Sequence, residues 1–202
     1  MKSLTQYIQE KLVIKSKSNN YKYFPQTKEE LREIIEQRIK QEGNEVDLND
    51  IDTSNITDMS DLFRGLDNFN GDISHWDVSS VTDMRYMFYD CKSFNQDISD
   101  WDVSNVTDMS DMFARCVNFN QDISNWNVSS VTYMSNMFFG CENFNQDISR
   151  WKVSKVTNMV DMFYACKRFN QDISNWNVSN VKYMVDMFYK CPIQEKYKPK
   201  FK

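Results

Sequence analysis

Five aspartates, Asp72, Asp97, Asp122, Asp147 and Asp172, recur every 25 residues, and a column of carboxylates at that register could in principle hold cations. Five cysteines, Cys91, Cys116, Cys141, Cys166 and Cys191, recur in the same way, and thiols on neighbouring turns of chain could come within bridging range. Each pattern has a plainer chemistry. An aspartate in such a position caps backbone N–H groups of its own turn. The cysteines are odd in number, share one apolar position and accompany no export signal, which predicts a reduced core column. His75 is the single histidine. Neither a Gly-rich phosphate loop nor Cys/His metal spacing nor a nucleophile–base arrangement is visible. The sequence thus predicts a protein that is not an enzyme and needs no cofactor or metal.

What must position these residues is a repeat. The stretch FNQDISDWDVSNVTDMSDMFARC, from Phe94 to Cys116, recurs without insertion or deletion. Trp76, Trp101, Trp126, Trp151 and Trp176 are each 25 apart, and every methionine except Met1 occupies one of two repeat positions. A period of this length is the mark of a solenoid, in which each unit buries its apolar face by stacking on its neighbours. Within a unit, Met84, Met87, Phe88 and Cys91 fall at i, i+3, i+4 and i+7, which predicts a short helix capped by Thr82. Asp72 to Val78 is short, β-branched and aromatic, which predicts a strand, with Ser79 and Ser80 as the turn between the two. The predicted inward set is Ile73, Trp76, Val81, Met84, Met87, Phe88, Cys91 and Phe94.

The unit F-N-x-D-I-S-x-W-x-V-S-x-V-T-x-M-x-x-M-F-x-x-C resembles that of the BspA-type leucine-rich-repeat surface proteins, a group also described as a mycoplasma domain of unknown function. The resemblance runs from Asn44 to Pro192. It implies an α/β repeat fold, a leucine-rich-repeat-like solenoid of 25-residue coils (short parallel strand, turn, short helix). It also implies adhesion or protein binding, and supplies no catalytic residues.

Three regions follow from the pattern. Residues 1–43 read as an α/β N-terminal cap. It opens with a short helix after Ser3, a hairpin could pair Lys11–Ile14 with Tyr21–Phe24, and an amphipathic helix begins at the capping box Thr27–Glu30. Leu31, Ile34, Ile35 and Ile39 line that helix, Gly43 ends it, and it is placed to cover the raw apolar edge of the first coil. Residues 44–192 form about six repeats. The first of these is degenerate, with Leu48 and Ile51 in phase with Ile73 and Trp76. Residues 193–202 form a basic tail.

The formal net charge of −5 argues against nucleic acid, which needs a basic footprint. No apolar run approaches the ~18 residues of a membrane span. MKSLTQYIQEKLVIKSKS lacks the apolar core of a secretory signal, so the expected location is the cytosol, with virion packaging or non-classical export as alternatives.

The positions that vary between otherwise identical coils are those the fold leaves free. Along the outer side of the predicted strand they run His75/Asp77, Asp100/Asp102, Asn125/Asn127, Arg150/Lys152 and Asn175/Asn177. Nearby, Asp83 and Asp108 give way to Tyr133, Asn158 and Tyr183, and Ser130 to Lys155. This face passes from acidic to basic and carries Tyr, Asn and Arg, an interface composition. The expected function is a binding module that presents these residues to a protein, with a glycan as second choice and the oligomeric state open. A second class of function is a structural or packaged phage virion protein, whose capsid-targeting leader would be Met1–Lys2–Ser3, Gln6–Tyr7–Ile8 and Glu10.

Overall fold

The computed structural model describes residues 21–201. The short helix after Ser3, the first arm of the expected hairpin and the leader-like segment lie outside them. The one α-helix among the described residues, α1 (Lys28–Glu42), starts where the capping box places it: the Thr27 side chain accepts the Glu30 N–H. The Glu30 carboxylate reaches back to the Gln26 N–H at 2.7 Å. Gly43 ends the helix with φ +92 and gives its N–H to the Ile39 carbonyl. Leu31 and Ile35 are fully buried and continuous with the core of the repeats. Arg38 fastens the helix to the first coil, donating to Asp50 Oδ1 at 2.7 Å and to the Asp47 carbonyl at 2.8 Å. Tyr23 forms a parallel bridge with Ile51. No described helix is long and apolar enough to cross a membrane.

The repeats do stack at 25 residues, but the expected strand–turn–helix coil is not what they form. Neither a named strand nor an α-helix occurs in any of them; the coils are chains of tight turns joined by isolated parallel bridges. One bridge column runs Asp58, Asp83, Asp108, Tyr133, Asn158, Tyr183. The leucine-rich-repeat architecture, and with it a strand face, is therefore corrected to a stack of turn-built coils.

Two local causes explain the difference. In the predicted strand, the Asp72 carboxylate takes the Ser74 N–H at 2.9 Å and the Trp76 N–H returns to the Ile73 carbonyl at 3.2 Å, so the chain turns twice. In the predicted helix, Tyr86 and Asp90 are left-handed, with φ 58 and 62, and their equivalents in every later coil share that conformation. A left-handed residue halts a right-handed helix. The backbone bonds then run between coils instead of along one. Met84, Tyr86, Phe88 and Asp90 donate to the carbonyls of Asp108, Ser110, Met112 and Ala114 at 3.0, 3.0, 2.9 and 2.8 Å. Spacing makes the same point. The ring centroids of Phe63, Phe88, Phe113, Phe138, Phe163 and Phe188 succeed one another at 5.3–5.8 Å. Helices side by side need about 8–10 Å, so a stack this tight cannot hold one per coil.

The inward set is as the periodicity places it: Ile73, Trp76, Val81, Met84, Met87, Phe88, Cys91 and Phe94 are all buried, and so are their equivalents in the next three coils. Each such side chain contributes roughly 1.5–3 kcal/mol on burial. The polar atoms of the core are bonded too. Each Trp indole N–H donates to a carbonyl of the preceding coil, Trp101 to Ile73 at 3.2 Å and Trp126 to Ile98 at 3.0 Å. Each buried thiol does the same, Cys116 to the Phe88 carbonyl at 2.9 Å.

Candidate interaction surface

All thirteen residues expected to meet a partner are exposed: His75, Asp77, Asp100, Asp102, Asn125, Asn127, Tyr133, Arg150, Lys152, Lys155, Asn175, Asn177 and Tyr183. They stand in columns one coil apart on either side of the buried tryptophans and at the bridge position, with Lys155 in the turn between the two. What they belong to is a succession of turns rather than a strand.

The turns impose more on these columns than the sequence suggests. Asp77 and Asp102 each take the N–H of the serine two residues on, both at 3.0 Å, and Asn127 and Asn177 do so at 3.2 Å. The bridge column follows the same rule: Asp58, Asp83, Asp108 and Asn158 accept from Ser60, Arg85, Ser110 and Val160 at 2.8, 3.0, 2.9 and 3.1 Å. A short side-chain acceptor at these points is thus part of the fold. Lys152, Tyr133 and Tyr183 break that rule. None can supply the acceptor, and the N–H groups of Ser154, Ser135 and Val185 find no other among the described residues. Tyr133 and Tyr183 are 47% and 61% exposed, so core packing does not account for them.

Electrostatics separates the coils. Arg150, Lys152 and Lys155 share one coil and pair with no carboxylate among the described residues, whereas Arg85, Lys92 and Lys167 all do. Asp100 and Asp102, two coils earlier, supply the opposite sign. The Ser104 hydroxyl and N–H hold Asp102 below the usual carboxylate range.

The chemistry-bearing columns resolve as turn and core elements. Asp97, Asp122, Asp147 and Asp172 accept from Ser99, Ser124, Ser149 and Ser174 at 2.9, 2.9, 2.9 and 3.0 Å. No group of three or more metal-ligating side chains gathers among the described residues. The five cysteines are free thiols. Burial pushes Cys91 up to about 12 and lifts Cys116, Cys141 and Cys166 well above their ordinary value.

Two columns bond or stack between coils, which their spacing alone did not reveal: the Asn column beside the turn aspartates reads as capping its own turn, and an outer aromatic column has no reading. In the F-N-Q-D run, Asn95 Oδ1 takes the Asn120 N–H at 2.8 Å and Gln121 Nε2 donates to the Asn95 carbonyl at 2.6 Å. This side-chain ladder repeats coil by coil, and the recurrence of Asn at that spacing, with Gln after it in every run but the first, was its signal. The second is aromatic: Phe139, Tyr164 and Tyr189 stack at 4.7 and 5.0 Å along the outside. Their 25-residue spacing was legible too, but the helical stripe of Met84, Met87, Phe88 and Cys91 gave those positions no role.

No curated protein and no solved structure matches this chain. A family model, described as Mycoplasma protein of unknown function, DUF285, matches residues 30–132 and 119–198, which takes in all but the first two residues of α1, every repeat and most of the tail. The chain belongs to this family of repeat proteins, described as Mycoplasma proteins of unknown function.

Proposed function

We propose that this chain is a non-enzymatic binding module, a BspA-type repeat protein whose outward columns hold a protein partner. The observation that carries the reading is the placement of Lys152, Tyr133 and Tyr183. Each stands where the other coils spend an Asp or Asn on the turn, and each gives up that bond to expose a cation or a phenol. Exposed tyrosine offers large contact area at small conformational cost. The basic coil of Arg150, Lys152 and Lys155 and the acidic residues Asp77, Asp100 and Asp102 set a polarity that orients a partner and raises its on-rate.

The test is affinity capture from the native source with Arg150→Glu/Lys152→Glu against the wild type. The expected result is an intact fold, loss of one specific protein from the eluate and a reduced salt sensitivity of what remains. Lys167→Glu/Arg168→Glu, on the outer side of a different stretch of the coil, should retain that protein. Capture unchanged by the first pair, or a glycan array that responds while no protein is retained, overturns the reading.

A further inference from the structure

The backbone ladder of the stack is polar. In the segment equivalent to 84–90, alternate N–H groups of every coil point toward the next coil and the intervening carbonyls point back. Met159, Asp161, Phe163 and Ala165 donate to Tyr183, Val185, Met187 and Tyr189 at 2.8, 3.0, 2.9 and 2.8 Å. The last coil has no successor among the described residues. The N–H groups of Met184, Asp186, Phe188 and Lys190 therefore form a row of four parallel donors with no acceptor there, and Asp186 and Lys190 keep the left-handed φ of 53 and 56. The chain after Cys191 crosses this end without bonding the row, although Lys198 Nζ lies 5.5 Å from the centre of the Phe188 ring. Ile193 is buried, Gln194 donates to Asn170 Oδ1 at 3.0 Å, and the Tyr197 carbonyl takes the Ile173 N–H at 3.0 Å. Beside the open row stand Tyr183, Val185 and Tyr189, three of the four exposed large hydrophobics among the described residues. At the opposite end of the stack α1 packs on the first coil, and Lys28 holds Asp58 and Ser60 at 2.8 Å.

The geometry points to this terminal edge as a second docking surface, one that takes an extended acidic peptide segment of a partner protein, laid along Met184 to Lys190 with its carbonyls on the four N–H groups. Three features select that occupant. An unbonded row of N–H groups along the open edge of a ladder is a line of positive potential. From Lys182 to Phe201 five lysines (Lys182, Lys190, Lys196, Lys198, Lys200) face two carboxylates (Asp186, Glu195), a local balance of +3 in a chain of −5. A second copy docked edge to edge would set donors against donors, and docked head to tail it would have to pass α1, which packs on the first coil.

The experiment uses the full chain, labelled for amide exchange by NMR, and a blocked octapeptide of alternating glutamate and valine, with a lysine–valine octapeptide as control. In the free chain the amides of Met184, Asp186, Phe188 and Lys190 should exchange at least about tenfold faster than those of Met159, Asp161, Phe163 and Ala165, since only the latter are bonded. The acidic peptide should slow the four edge amides and the basic one should not. Lys182→Glu/Lys190→Glu should weaken the acidic peptide about tenfold. Arg150→Glu/Lys152→Glu should leave it unchanged, which separates this surface from the columns proposed above. Edge amides already protected in the free chain overturn the inference. So does protection that grows with protein concentration, which makes a second copy the occupant, and so does acidic-peptide binding that leaves the edge amides unslowed.

Discussion

Replacing Lys152 with Asn should make the protein more stable and worse at binding. In coils on either side, Asn127 and Asn177 hold the N–H two residues on at 3.2 Å, and Asp102 does so at 3.0 Å. In the Lys152 coil the Ser154 N–H lacks that acceptor. A restored hydrogen bond contributes about 0.5–1.5 kcal/mol net. Because Ser154 is exposed, solvent can reach its N–H when the acceptor is missing, and the lower half of that range applies, about 0.5–1 kcal/mol. For a chain of this size that is a rise in Tm of roughly 1–4 °C. Tyr133→Asn should act alike through the Ser135 N–H, as Asp108 does for Ser110 at 2.9 Å. The reverse change, Asn177→Lys, should lower Tm by a similar amount. Thermal unfolding followed by circular dichroism reads all three, and affinity capture with the same proteins reads binding. A Tm that falls for Lys152→Asn, or one that does not move for Asn177→Lys, refutes the turn rule. A Tm that rises with capture intact leaves the rule standing and removes Lys152 from the interface.

In the native protein, Cys91, Cys116, Cys141 and Cys166 should react slowly with a thiol reagent at mild alkaline pH, because burial keeps them protonated, and the half-buried Cys191 should react first. All five should react once denaturant is added, and reductant should leave Tm unchanged; fast native labelling of Cys116 would contradict the core column. Stability should also fall on acidification below about pH 4. Asp102, Asp122, Asp147 and Asp172 are held below their ordinary range by hydrogen bonds from the serines two residues on. Groups depressed in the folded state stabilise it above their unfolded value, and that contribution disappears as the pH drops through the folded one. Burial raises Asp111 and Asp161, which act in the opposite sense but are fewer. A Tm that stays flat or rises between about pH 5 and pH 2.5 would show that the turn aspartates do not carry this linkage.

The sequence by itself determined the 25-residue register, the inward set, the capping box of α1 and the role of the Asp72 column as turn acceptors. These follow from identity and spacing alone, since a side chain repeated without a gap must lie above its copies. Tertiary structure decided the backbone between them. Met84, Met87, Phe88 and Cys91 read as a helical stripe because i, i+3, i+4 and i+7 is one face of a helix, yet a chain of tight turns with two left-handed residues buries the same four side chains. Periodicity cannot tell these apart, because it records which residues point inward and not the φ angles that turn them there. Asp, Asn and Gly at the left-handed columns, as in Asp61, Asp111, Asn136, Gly65 and Gly140, were the available hint, but Tyr86, Arg115 and Lys190 in the same columns masked it. The open N–H row at the last coil was invisible for a deeper reason. Its polarity comes from peptide groups, which every residue carries alike, and only the direction in which stacked coils face one another makes that end a donor edge.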